Sequence, residues 1–183
     1  MTESFSRYPA HLVEDWQLKD GTPVRIRPIR ADDLAMHTHF VHGLSPHTGY
    51  ARLLSPRMPQ EAELRHMTDI DYERELALIA TTPLDGQEHQ MGVVRYVRGD
   101  TPETADIAEF AIVVGDAWQR RGLAEKLLQR LIAAARSAGV ETLADITLYD
   151  NRGMLMLARK LGFTLQRDAA NANVTKLRLS LSE

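Results

Sequence analysis

The chain has 183 residues, 44% of them hydrophobic and 26% charged, which suits one soluble globular domain whose core needs no disulfide staples. It contains no cysteine, which excludes disulfide frameworks, thiol catalysis, cysteine zinc sites and iron–sulfur clusters. A formal net charge of −3 argues against a global electrostatic grip on nucleic acid, and no run approaches the roughly 18 apolar residues of a membrane span.

Residues 1–20 are polar and irregular and read as an N-terminal extended arm, with the folded domain spanning 21–183. The first residues lack the apolar core of a signal peptide, so a cytoplasmic location is expected. Asp20-Gly21 followed by Pro23 signals a turn, and Val24 to Ile29 alternates like a half-buried strand. Ala31-Asp32-Asp33 opens a helix that carries on through Leu44. Ser45-Pro46 and Ser55-Pro56 mark loops around a short ambiguous segment, and Gln60 to Thr68 reads as a second helix. Glu75 to Ala80 is a strand ended by Thr82-Pro83, and Leu84 to Gln90 is a turn-rich connection. Met91 to Arg98 and Asp106 to Val114 complete an antiparallel meander.

Helical spacing then takes over at Leu123, Ala124, Leu127, Leu128, Leu131, Ile132 and Ala135, and Ser137-Ala138-Gly139 ends that helix. Leu143 to Leu148 is a strand. Asp150-Asn151 opens a shorter helix, with Met154, Leu157, Ala158 and Leu161 on one face and Gly162 at its C-terminal stop. Val174 to Leu181 alternates as a last strand. The pattern predicts a mixed α/β, or α+β, single sheet.

The most informative stretch is Val113 to Ala124, where a strand, a short loop and a long amphipathic helix follow one another. The first N–H groups of a helix lack internal partners, and its dipole makes that end positive, so an anion can satisfy both. Gly122 and Ala124 leave room for a phosphate, while Arg120 and Arg121 add fork-shaped donors. No Gly-Lys-Ser/Thr ending is present, and the G-x-G-x-x-G spacing is absent. On these residues alone, the same stretch also reads as a polar loop with two solvated arginines.

Gln119-Arg120-Arg121-Gly122-Leu123-Ala124 resembles the Gln/Arg-x-x-Gly-x-Gly/Ala signature of the GNAT N-acetyltransferases, and Lys160-Leu161-Gly162-Phe163 resembles that family's second block. Arg7-Tyr8-Pro9, Asp20 to Arg30, Asp71 to Ala77 and Ala108 to Val114 are similar to the acetyltransferase domain of bacterial protein lysine acetyltransferases, where a synthetase-like region often precedes it. The resemblance implies a single domain with a mostly antiparallel sheet of about 6 or 7 strands, splayed at a V-shaped cofactor cleft, and about 4 helices. It implies acetyl-CoA as cosubstrate and no metal. The pyrophosphate would meet the backbone of Arg120, Arg121, Gly122, Leu123 and Ala124, after Gln119. The pantetheine arm would pair with Ile112, Val113 and Val114 like an added strand. Asn151 would reach the cofactor or simply cap its helix.

Acetyl transfer needs a neutral amine. A lysine with pKa near 10.4 is about 3.4 units from neutrality at pH 7, a cost of about 4.6 kcal/mol. Glu109 is the candidate base, a lone carboxylate in the apolar run Ile107 to Val114, where desolvation is expected to raise its pKa. It also matches the family's catalytic glutamate. Asp106 lies nearer the turn and is the runner-up. Asp145 could orient the amine, but the plainer reading has it facing water. A backbone N–H in Ile112 to Val114 would hold the developing oxyanion. The tyrosine that many relatives carry in the last helix is Ala158 here, with Tyr149 out of register, so no general acid is assigned. His37, His39 and His42 lack the partners of a metal site, and Arg25, Arg27 and Arg30 are expected to make surface salt bridges. The expected acceptor is a protein lysine or a small amine, with no nucleic acid and no membrane as partner, and a homodimer is left open. A non-catalytic acyl-CoA sensor is the alternative from another class.

Overall fold

Among residues 7–53 and 57–182, which a computed structural model describes, the turn at Asp20-Gly21 closes as its residues dictate. Gly21 takes a φ of 90°, and the Asp20 carboxylate accepts the Thr22 N–H at 3.0 Å. The turn joins β1 (Glu14–Gln17) to β2 (Pro23–Pro28) as an antiparallel pair. The sheet therefore begins inside the segment expected to be an arm. Residues 1–6 of that segment, and the loop signal at Ser55-Pro56, lie outside the described residues.

Two helices follow, α1 (Leu34–His42) and α2 (Pro46–Leu53), then α3 (Glu61–Thr68). β3 (Glu75–Leu84) and β4 (Gln87–Arg98) form a long hairpin. The strand runs through Pro83, contrary to the expectation that Thr82-Pro83 ends it. Asp85 and Gly86 both take positive φ, 50° and 77°, as a two-residue hairpin turn requires. β2 pairs with β3 only as far as Thr81, so Pro83 removes no ladder bond.

β5 (Ile107–Val114), α4 (Leu123–Ser137), β6 (Thr142–Leu148), α5 (Arg152–Lys160), β7 (Thr164–Arg167) and β8 (Val174–Ser180) complete the chain. The described residues thus hold one sheet of eight strands in the order β1-β2-β3-β4-β5-β6-β8-β7, and five α-helices. The counts exceed expectation because β1 and β7 span only four residues each, too few to show a period, and because α2 contains Gly49 and opens on proline.

Helices cover both faces. Leu123, Leu127, Leu128 and Leu131 of α4 sit against Leu78, Met91, Val94 and Phe110, all essentially sealed from water. Burying each leucine contributes about 1.5–3 kcal/mol. On the opposite face Phe40, Val41 and Leu64 meet Ile79, Val93 and Val113. Gly92 lets these layers close up, since a Cβ there would lie 3.0 Å from the Val113 carbonyl and 3.2 Å from Leu127.

Arg25 and Arg30 make the expected surface pairs, with Asp15 and Asp32. Arg27 does not. It is 4% exposed, grips both Asp33 oxygens at 2.7 Å, and also reaches Glu88 at 3.0 Å. Burial pulls the Arg27 pKa down, but these bonds more than reverse the effect.

Candidate active site

The cleft arises where two strands part. β5 and β6 are parallel and register only at Ile107, Ala108 and Glu109 opposite Thr142, Leu143 and Ala144. Beyond Glu109 the rest of β5 stays with β4, while β6 continues beside β8. Glu109 is therefore the last paired residue on one arm of a V, and Asp145 the first residue past the pairing on the other. The Gly115 N–H bonds to the Met91 carbonyl at 2.8 Å. By strand alternation, Val114 and Ile112 turn their peptide groups to the opposite edge, into the gap.

That edge leads to the arginine-rich loop. Arg120 is held at a φ of 60° and Gly122 at 83°, two left-handed residues that fold the chain back before α4. Gly122 is the N-cap and supplies no side-chain oxygen, so the first-turn N–H groups of α4 are left open. Nothing lies within 4 Å of the position its Cβ would take. Arg121 lies over the Trp118 ring and pairs with Asp20 at 3.0 Å. The donor set fits a diphosphate: open N–H groups, a helix dipole and two guanidinium groups.

Side chains also tie this loop to α2. Asp116 accepts from the Ser45 N–H at 2.9 Å, and from the Ser45 and Thr48 hydroxyls at 2.7 Å each. The Gln119 amide donates to Thr48 at 3.2 Å and to the Val114 carbonyl at 3.0 Å. Gln119, expected at the cofactor, thus acts on the loop that would hold it. Asn151 is similarly engaged: its oxygen caps α5 through the Met154 N–H, and its amide donates to Thr147, both at 3.2 Å.

At the apex the two carboxylates exchange the surroundings the sequence suggests. Glu109 is exposed rather than desolvated, because it lines an open groove along β6 and β8. Asp145 is half-buried. Burial, and then the Glu109 charge, push its carboxyl up to about 7, against the opposing pull of the Ile146 N–H and Arg52. Both line a groove of about 440 Å³, with Ile146, Gln166, Lys176 and Arg178. Strand alternation alone could not reveal this, since what desolvates Asp145 comes from other elements. Arg52 was missed for the same reason: it lies in the segment whose sequence is ambiguous, and α2 packs it over β5 and β6.

Ala158 is fully buried against the core and Tyr149 is exposed. Asp106 is exposed, and its carbonyl accepts the Glu141 and Thr142 N–H groups. Of the three histidines, His37 is buried beside the Gln90 oxygen at 3.1 Å, and burial lowers its pKa. Among the described residues, no group of three acidic or histidine side chains could hold a metal.

The acetyltransferase (GNAT) family model matches residues 48–163. An acetyltransferase of Pseudomonas aeruginosa is 33% identical over 172 residues, which cover 93% of this chain and 90% of that protein. Acetyltransferase Pat of Mycolicibacterium smegmatis is 28% identical over 165 residues, or 88% of this chain and 47% of that protein. Among solved structures, the GNAT domain of S. lividans PAT superposes with a TM-score of 0.82 at 31% identity, covering 95% of this chain and 99% of that domain. The acetyltransferase yncA of Salmonella typhimurium, solved with acetyl-CoA, shares the fold with a TM-score of 0.70 at 20% identity, covering 87% and 95%.

Proposed function

We propose that this chain, which belongs to the acetyltransferase (GNAT) family, transfers an acetyl group from acetyl-CoA to a protein lysine side chain by direct attack of the amine. The observation that carries the reading is the unpaired edge of β5 running into the open first turn of α4. When bound, acetyl-CoA supplies the acetyl thioester. The peptide groups of Ile112 and Val114 would hold its pantetheine arm as an added strand would. The N–H groups from Arg120 to Ala124, with the Arg120 and Arg121 guanidiniums, would hold its pyrophosphate.

The chain's own chemistry belongs to the apex. Glu109, open to an incoming amine, would take the ammonium proton directly or through one water. Asp145, held near neutrality, would share that proton, because two carboxylates at one site do not ionise independently. A Val114 N–H turned into the gap would stabilise the developing oxyanion. No side chain is assigned to protonate the leaving thiolate. The exposed groove around Glu109 suits a side chain presented from a larger surface, and the sequence resemblance to bacterial protein lysine acetyltransferases points the same way.

The test is incubation with labelled acetyl-CoA and a cell lysate, followed by mapping of modified lysines. Label on discrete lysines, lost with Glu109→Gln, is the expected outcome. Label only on small amines would remove the protein acceptor, and acetyl-CoA binding without any transfer would remove the activity.

A further inference from the structure

Arg52 closes α2 above the apex and is half-buried, yet no hydrogen bond or ion pair engages its guanidinium among the described residues. Asp69 lines a pocket with it but makes no ion pair to it, and the other carboxylates around it have partners of their own. Glu63 pairs with Arg57, Glu75 with Arg95 at 2.8 Å, and Asp33 with Arg27. Asp145 is the one anion that opposes the burial of Arg52, and its oxygen accepts the Ile146 N–H instead. Arg95 stands nearby and adds repulsion. A half-buried cation with no direct ion pair destabilises a fold, and such groups persist where a ligand completes them.

Arg52 and Arg95 share a small cavity of about 40 Å³, walled by Val41, Met58, Met67 and Val113. A water needs roughly 10–15 Å³ of such space, so the cavity suits a planar group of about three heavy atoms. Arg95 lies opposite Ala111, two residues along β5 from Glu109, and α2 touches both β5 and β6, so a group held between the two arginines lies toward the apex.

We propose that Arg52 anchors the acceptor by taking a carboxylate that the acceptor carries close to its amine. The inference rests on the reading of this chain as an amine acetyltransferase. The carboxylate comes from an acidic residue flanking the target lysine or from the α-carboxylate of a free amino acid; both offer the same planar anion to a guanidinium fork.

The test uses two matched pairs of acceptors with saturating acetyl-CoA: a lysine peptide with glutamate beside the lysine against its glutamine counterpart, and an amino acid against its amide. The expected result is a tenfold or greater preference in kcat/KM for the charged member of one pair, carried by KM. The pair that shows it identifies the source. Arg52→Gln brings that ratio toward one, and Arg52→Lys restores part of it. Binding of the same four compounds, measured calorimetrically with CoA present, reads the anchor without turnover. Carboxylate-selective binding that Arg52→Gln abolishes, in a protein that transfers nothing, supports the anchor and ends the transferase reading. Full activity with no preference for the charged members, or a preference kept by Arg52→Gln, overturns the anchor alone. Arg52→Gln is also expected to raise the melting temperature by about 2–4 °C, since it removes an uncompensated charge. A fall would make Arg52 a structural counter-charge to Asp145 and overturn the proposal.

Discussion

Glu109 and Asp145 are neighbours with unlike surroundings, and the difference is measurable. Glu109→Gln is expected to lower kcat by about 10²–10⁴ while leaving acetyl-CoA affinity intact, read by steady-state kinetics and titration calorimetry. Asp145 carries a proton in the fold up to about pH 7, whereas the unfolded chain releases it near the ordinary 3.8 of an aspartate. Its ionisation therefore costs stability as pH rises from about 4 to 7, and the full cost remains above 7. Asp145→Asn should leave the melting temperature near pH 4 almost unchanged and raise it most at pH 8. The same variant should remove a limb near pH 7 from the kcat/KM profile. The Arg27 site behaves oppositely: Arg27→Ala strands a buried Asp33, and about 3–5 kcal/mol should vanish in a denaturant titration. Sequence named both apex carboxylates but reversed their exposure. Strand alternation reports which face a residue takes, not whether that face is covered.

The elements most legible in the sequence are those that carry a long period. The α4 leucines and the α5 apolar face were visible because each repeats over several turns. α2 was not, because proline, glycine and threonine give it little intrinsic helicity. Its stability comes from Ser45, Thr48 and Asp116, whose partners lie far along the chain. At the start of α4, Gly122 holds a positive φ with open space beside it, so Gly122→Ala is strained by backbone geometry and not by a clash. It should lower stability by about 1 kcal/mol and weaken acetyl-CoA binding, measured by thermal melts with and without the ligand.

The splayed sheet as a whole is stabilised by whatever fills its gap. At a free acetyl-CoA concentration of 100 times Kd, mass action adds about 2.7 kcal/mol, a rise of roughly 5–10 °C in melting temperature for a chain of this size. No shift in a calorimetric scan at that concentration would count against the donor assignment. The family was readable because the glycine-arginine loop sits in one fixed context of strand and helix. The cleft itself was not, because it depends on β5 and β6 separating after three paired residues. One helix spans the two halves of that opening. Its front end is pegged through Asp116 to the turn that would clasp the nucleotide, and its rear end carries Arg52, proposed to anchor the acceptor. Both reactants would thus lean on one helix. Any effect of one on the binding of the other must be returned by the same factor, and cutting the Ser45–Asp116 peg should weaken it, read by titrating each in the presence of the other.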